Sequence, residues 1–292
     1  MSNASETKSI LLQLGAQPRR SMGQHFLVDH TVIERQIKYA KIKKGERILE
    51  IGPGLGFLTE DLLKAGANVV AIESDRKFCE YLREKFGDKL ELIEGDATKV
   101  ILPEFEKVVS NLPYQISSEI TFRILETRKF DIAILMYQKE FAERMVAGEI
   151  SALYGRLSVM AAYRADCEIL KIVNRRCFWP QPKVDSALVL MKSRPPKFQP
   201  KDEKLFVDVV RVLFSHRRKK ISNGLVALAG QLGVSREFMK GLVQDIPYGD
   251  ERVETLSPEE IGEIADWFSG IKSESRIHRC DNHLRRINRK SF

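Results

Sequence analysis

Between Glu46 and Val146, apolar runs of strand length alternate with helical patterns. That rhythm restricts the chain to a mainly parallel sheet covered by helices on both faces. The spacing predicts strands over Arg47–Ile51, Asn68–Ile72, Leu90–Glu94, Lys107–Ser110 and Ile132–Tyr137. It predicts helices over Thr59–Ala65, Arg76–Phe86, Ile116–Leu125 and Phe141–Val146. Two later runs, Glu168–Val173 and Ser186–Lys192, read as antiparallel edge strands and bring the sheet to seven.

The flanks read differently. Residues 1–17 look like a frayed tail leading into a short helix near Thr7–Leu14. The basic segment from Arg20 to Leu27 precedes a helical pattern through Val32, Ile33, Ile37 and Ala40. Core packing does not explain it, because Gln24 and His25 stand directly before Phe26 and Leu27. After the proline-rich segment Arg194–Pro200 the chain is helical throughout. Leu205, Val209, Val212 and Leu213 share one face, Phe238, Leu242 and Val243 a second, and Ile261, Ile264, Ala265 and Phe268 a third. Ser257 followed by Pro258 is a helix start. The chain thus ends in a small all-α domain over 196–270, followed by residues 271–292 with little apolar periodicity.

Composition removes several classes. No stretch approaches the ~18 apolar residues of a membrane span, and Ile10-Leu11-Leu12 is too short for a signal peptide. Cys79, Cys167, Cys177 and Cys280 form no C-x-x-C pair, so neither a zinc site nor a disulfide framework is expected, and a cytoplasmic setting fits. The net charge of +8 is uneven. Residues 271–292 hold seven Lys/Arg against two acids, leaving +3 for the rest. This basic tail either binds RNA or is not native sequence. Local clusters are Arg19-Arg20, Arg175-Arg176 and His216-Arg217-Arg218-Lys219-Lys220. Each is a solvated face or a nucleic-acid contact.

The tips of the predicted strands carry the chemistry. Gly52-Pro53-Gly54-Leu55-Gly56 joins a strand to a helix, where an α/β sheet presents backbone to a ligand. Its spacing is G-x-G-x-G, and Phe57 takes the place of the third glycine of a dinucleotide fingerprint. Glu50 precedes the loop. Glu73 ends the second strand, where its carboxylate can accept both ribose hydroxyls of an adenosine. Asp96 ends the third and can accept from an adenine amino group. The fourth strand runs into Asn111-Leu112-Pro113-Tyr114. Proline fixes its own φ and holds Leu112 extended. Two fixed acceptors beside an aromatic face suit a flat ring bearing an amino group, although the same four residues also read as a turn with a buried tyrosine.

Together these motifs resemble a known family. Glu50-Ile51-Gly52-Pro53-Gly54-Leu55-Gly56 is similar to the cofactor loop of class I S-adenosylmethionine methyltransferases. Asn111-Leu112-Pro113-Tyr114 is similar to the motif of enzymes that methylate adenine amines. Gly23–Leu27, Tyr137–Glu140, Tyr154–Val159 and Phe178–Ser186 extend the likeness to the small-subunit ribosomal RNA adenine N6,N6-dimethyltransferases, archaeal and eukaryotic branch, up to about residue 270. Arg20 departs from the family's more usual lysine, and the tail matches nothing in it.

The resemblance implies a Rossmann-like methyltransferase domain over 1–195, with residues 1–45 capping the cofactor site. It implies that Gln24, His25, Leu27, Gly52, Gly54, Glu73, Asp96, Ala97 and Asn111 hold S-adenosyl-L-methionine. Asn111 and Leu112 would accept the N6–H bonds of the target adenine, with Tyr114 and Phe178 on its two faces after the base is unstacked. Arg19, Arg20, Lys183, Arg217, Arg218, Lys219 and Lys220 would contact RNA within a small ribosomal subunit particle. A monomer with no metal and no membrane association is expected. Competing readings are a large-subunit adenine methyltransferase, a ribosome-assembly or transcription factor with secondary activity, and a nicotinamide oxidoreductase. The last is disfavoured by the glycine spacing.

Overall fold

The computed structural model describes residues 4–18, 24–127, 130–232 and 235–270. In chain order its elements begin with α1 (Ala4–Gln13), β1 (Phe26–Leu27), α2 (His30–Ala40), β2 (Arg47–Ile51), α3 (Phe57–Lys64), β3 (Asn68–Glu73) and α4 (Arg76–Phe86). There follow β4 (Leu90–Glu94), β5 (Lys107–Asn111), α5 (Ser117–Thr127), β6 (Ile132–Gln138), α6 (Lys139–Met145), α7 (Arg156–Arg164), β7 (Ala165–Val173), β8 (Phe178–Trp179) and β9 (Ser186–Ser193). The helices α8 (Glu203–Ser215), α9 (Ile221–Leu225), α10 (Ala229–Leu232) and α11 (Arg236–Leu242) come next, and a last helix spans 258–270.

Seven strands form one sheet in the order β4-β3-β2-β5-β6-β9-β7. The first five run parallel, and β9 is antiparallel to both β6 and β7. The predicted antiparallel pair is therefore present, with β7 at the edge. Ile48, Leu49, Val70, Ala71, Val108 and Val109 are all fully buried, as a sheet covered on both faces requires. From β2 the chain steps outward through β3 and β4, then returns to place β5 and β6 on the other side. The switch point between β2 and β5 is where such sheets bind ligands.

By internal contacts the chain divides into two units. One holds the residues up to Val146 together with Arg164–Pro195, and the other holds Ala147–Tyr163 with the residues from Pro196 on. Residues 147–163 thus differ from the expectation of a first domain running unbroken to 195. Within the second unit the buried Tyr154 donates its hydroxyl to the Leu256 carbonyl (2.9 Å) and meets Phe214 edge-on. Tyr163 packs against Phe198 and Phe206, both at ring-centroid distances of 4.9 Å. These aromatic contacts across long sequence separations carry no local signal.

Two further expectations are corrected. The helix expected near Thr7–Leu14 is present as α1, but residues 4–18 are no frayed tail: Ile10 and Leu11 pack with Leu55 and Phe78, and Lys77 Nζ donates to the carbonyls of Leu14 (3.1 Å) and Gly15 (2.7 Å). That ammonium satisfies carbonyls left open at the helix end. On α11 the inward residue is Met239, whereas Phe238 is 52% exposed. The final helix is as predicted. Ser257 Oγ accepts from Glu260 N–H, and Glu260 accepts from Ser257 N–H, a reciprocal cap. Ile261, Ile264, Ala265 and Phe268 are buried together on it.

Candidate active site

The backbone at the switch point is held open by one serine. Pairing between β2 and β5 covers only Ile48↔Lys107 and Leu49↔Val108. Beyond it the Ser110 hydroxyl donates to the Ile51 carbonyl (2.6 Å) and accepts from the Ile51 N–H (3.3 Å). A ladder bond is thus replaced by a side-chain bridge at the tips of the two strands. Gly52 follows with φ +69°, and a Cβ there would lie 3.1 Å from Pro113 Cγ and Cδ. The glycine loop and the Asn111–Tyr114 stretch therefore touch. Gly54, with φ +56°, would bring a Cβ to 3.2 Å from Phe26 Cε1. A side chain at either glycine would be strained by its φ and crowded by its neighbour.

Three carboxyl groups stand along this loop in different states. Glu73 is 6% exposed. Its Oε1 accepts from the N–H groups of Ser74 (2.8 Å) and Asp75 (2.9 Å), and its Oε2 from Gly54 N–H (3.1 Å). Burial raises its pKa, and these N–H bonds oppose the rise. A carboxylate has about four acceptor sites, so Oε2, which accepts a single N–H, keeps capacity for a ligand donor. Glu50, 2% exposed, accepts from Thr59 Oγ1 (2.7 Å). Burial pushes it up to about 8, aided by the Glu73 charge and opposed by the Thr59 bond. Asp96 is half-exposed, with Oδ1 accepting from Thr98 N–H (2.9 Å) and Oγ1 (2.7 Å). The Thr98 bonds hold its carboxyl below the ordinary range. The loop behind it is pinned by Arg123, which donates to the carbonyls of Ala97 and Val100.

On the β5 side, Asn111 Oδ1 is buried and has no hydrogen-bond partner among the described residues. A buried amide oxygen without a donor costs on the order of 1–3 kcal/mol, so its retention points to a donor supplied by a ligand. Leu112 and Pro113 follow, and then Tyr114, whose ring stacks on His25 (centroids 5.8 Å, planes 30° apart). Burial raises the Tyr114 hydroxyl's pKa, and its bond to Ser186 Oγ (2.7 Å) opposes that.

The segment before α2 reaches the site through a two-residue sheet, with Phe26 opposite Trp179 and Leu27 opposite Phe178. His25 Nδ1 lies 2.6 Å from the Pro180 carbonyl. The segment that core packing did not explain in the sequence is therefore held by the Phe178–Pro180 stretch. All twelve residues singled out from sequence for catalysis or cofactor binding line one cavity of about 400 Å³. Phe178 reaches it from within the core, only 4% exposed.

The basic candidates fare unevenly. Arg19 and Arg20 lie outside the described residues, as does the tail. Lys183, Arg218 and Lys219 are exposed. Lys220 pairs with Asp250 (2.8 Å) at the surface. Arg217 does not stand free: its guanidinium donates to Glu254 Oε2 (2.9 Å) and to the carbonyls of Ala152 (2.7 Å) and Ser151 (3.0 Å). Among the described residues no cluster of His, Cys, Asp or Glu could hold a metal ion, and no helix is long and apolar enough to cross a membrane. Sequence reading gave no role to Ser110, Thr59 or Ser186. Ser186 stood in a quoted motif, but its partner is 72 positions away.

Similarity to known proteins runs along most of the chain. A family model described as ribosomal RNA adenine dimethylase matches residues 15–269. A probable ribosomal RNA small subunit methyltransferase A from Thermococcus gammatolerans is 43% identical over 257 residues, covering 88% of this chain and 91% of that protein. Among solved structures, a dimethyladenosine transferase from Plasmodium falciparum superposes with a TM-score of 0.72 at 30% identity, covering 82% of this chain and 95% of that one. The 23S rRNA methyltransferase ErmE gives 0.61 at 27% identity, covering 83% and 98%.

Proposed function

The chain belongs to the ribosomal RNA adenine dimethylase family, and from that premise we propose that it transfers methyl groups to N6 of two adjacent adenosines in a 3′-terminal hairpin of small-subunit rRNA. The product is N6,N6-dimethyladenosine, formed on a small ribosomal subunit particle. Asn111 Oδ1, buried without a partner among the described residues and in one cavity with Glu73 and Asp96, carries this reading.

The residues fit S-adenosylmethionine. Gly52 and Gly54 leave room for close backbone approach, Glu73 Oε2 keeps acceptor capacity for the ribose, and Asp96 Oδ2, paired only with the exposed Lys99 ammonium at 3.4 Å among the described residues, can still accept from an adenine amine. Gln24, His25, Leu27 and Ala97 complete the wall. When bound, the cofactor supplies an electrophilic methyl group on a sulfonium. The chain's own work is done on the target base. The N6 lone pair of adenine is delocalised into the ring, so the amine is a poor nucleophile. Asn111 Oδ1 and the Leu112 carbonyl accept the N6–H bonds, which localises the lone pair and fixes its direction. Tyr114 and Phe178 hold the ring between them. Alkylation makes the remaining N6–H strongly acidic, so no side chain has to act as a strong base. Positioning and electrostatics supply the rate.

Arg218, Lys219, Lys220 and Lys183 are the described cations assigned to phosphate contact, with Arg19 and Arg20 added from sequence. The test is incubation of small-subunit particles with labelled cofactor, followed by mass spectrometry of the rRNA. Two dimethylated adjacent adenosines near the 3′ end are expected. Label on large-subunit rRNA, or no label, would overturn the reading.

A further inference from the structure

Ile150 adopts φ +68° and is 84% exposed. A β-branched residue in the left-handed region is strained, and such strain persists only where the surroundings over-determine it. Here they do. Ile150 N–H donates to the Glu254 carbonyl (2.9 Å). The Arg217 guanidinium grips the Ser151 and Ala152 carbonyls and the Glu254 carboxylate together. Arg217 therefore clamps the turn at 150–152 onto the turn at 253–255. Glycine would satisfy the same backbone without strain, yet the position carries a bulky apolar side chain held out to solvent.

The surroundings indicate what that side chain meets. The hollow beside it is lined by Ala152, Phe214, His216, Arg218 and Lys219. Glu254 is neutralised by Arg217, whereas Arg218 and Lys219 are exposed. Glu149, one position earlier, is exposed as well. An apolar knob on a clamped turn beside two cations matches a nucleic acid. Cations take phosphates and fix register, and apolar side chains wedge against unstacked bases or sugars.

We infer that Ile150 is an RNA wedge: its side chain packs against a base or sugar of the rRNA while Arg218 and Lys219 hold the flanking phosphates. This rests on the rRNA reading above. The test compares wild type, Ile150→Gly and Ile150→Asn, since both replacements accept the backbone conformation. Binding is measured to purified small-subunit particles and to naked small-subunit rRNA over a salt series. Both variants should keep the wild-type unfolding temperature, or exceed it, and keep cofactor affinity. Their affinity for both RNA forms should fall at least about fivefold, a low value for the loss of an isoleucine side chain's buried apolar contact. The slope of log affinity against log salt should stay unchanged, whereas Lys219→Ala should reduce it by about 0.7–0.9. Unchanged affinity of the Ile150 variants overturns the wedge, as does a loss confined to particles, which would place a ribosomal protein there. If wild type binds neither RNA form, the rRNA reading itself fails.

Discussion

The Tyr114 hydroxyl lies 2.7 Å from Ser186 Oγ, so the first residue of β9 fixes the ring at the end of the Asn111–Tyr114 stretch. Ser186 is fully buried and sits in register with both Gln138 of β6 and Val173 of β7. His25 occupies one side of the same ring. Tyr114 is thus restrained at its hydroxyl and on one face, which leaves its plane set before any base arrives.

Ser186→Ala should therefore lower kcat by about two- to tenfold, the usual worth of one hydrogen bond, with little change in cofactor affinity. Tyr114→Phe should have a similar effect. If the pair works as one unit, the double variant loses no more than either single one. Additive losses in single-turnover rates would show that the hydroxyls act separately.

Asn111→Ala should abolish detectable methyl transfer, with at least the ~10²–10³-fold loss seen when one preorganised polar group is removed from a reacting centre. Cofactor affinity should stay within a few-fold. Stability gives an independent check. The amide oxygen has no partner among the described residues, so removing it should leave the unfolding temperature unchanged or raised. A lowered one would mean that Asn111 is structural.

Much of this was legible because it is local. Alternating apolar runs gave the strand–helix order, and a parallel sheet puts every strand tip on one side, so Gly52, Glu73, Asp96 and Asn111 had to converge. Contacts made across long separations were not legible. Lys77 closing the end of α1, Tyr154 drawing residues 147–163 into the helical unit, and Ser186 meeting Tyr114 all depend on the finished fold. Phe238 misled because one-face spacing holds for either side of a short helix. Arg217 misled because a basic run does not show which member finds Glu254.

Glu50 provides a pH signature. Its pKa rises from an ordinary 4.5 to about 8 on folding, through burial first and the Glu73 charge second. Between those values the folded protein holds a proton that the unfolded chain has released. Stability from this site is therefore intact below pH 4.5, declines as pH rises, and reaches its minimum above about 8. Glu50→Gln keeps an acceptor for the Thr59 hydroxyl and removes the titration. The variant's unfolding temperature should pull ahead of wild type from pH 5 to pH 8. A gap that stays constant across that range would contradict the assignment.

The basic run at 216–220 should divide into two functional classes. Arg217 makes three bonds inside the helical unit and is about one-third exposed, as is Glu254. Replacing it with alanine leaves two carbonyls and a carboxylate to solvent, and partial exposure moderates the cost. We expect a loss of about 1–3 kcal/mol in denaturant unfolding. RNA affinity would fall only through the released turn at Ile150. Arg218 is exposed, and Arg218→Ala should leave the unfolding free energy within about 0.5 kcal/mol of wild type. It should still reduce the salt dependence of rRNA binding by close to one phosphate contact. The two variants therefore move opposite observables. If Arg217→Ala left stability untouched and lowered the salt slope instead, its guanidinium would have to turn away from Glu254 to reach phosphate, and the clamp on the 150–152 turn would be wrong.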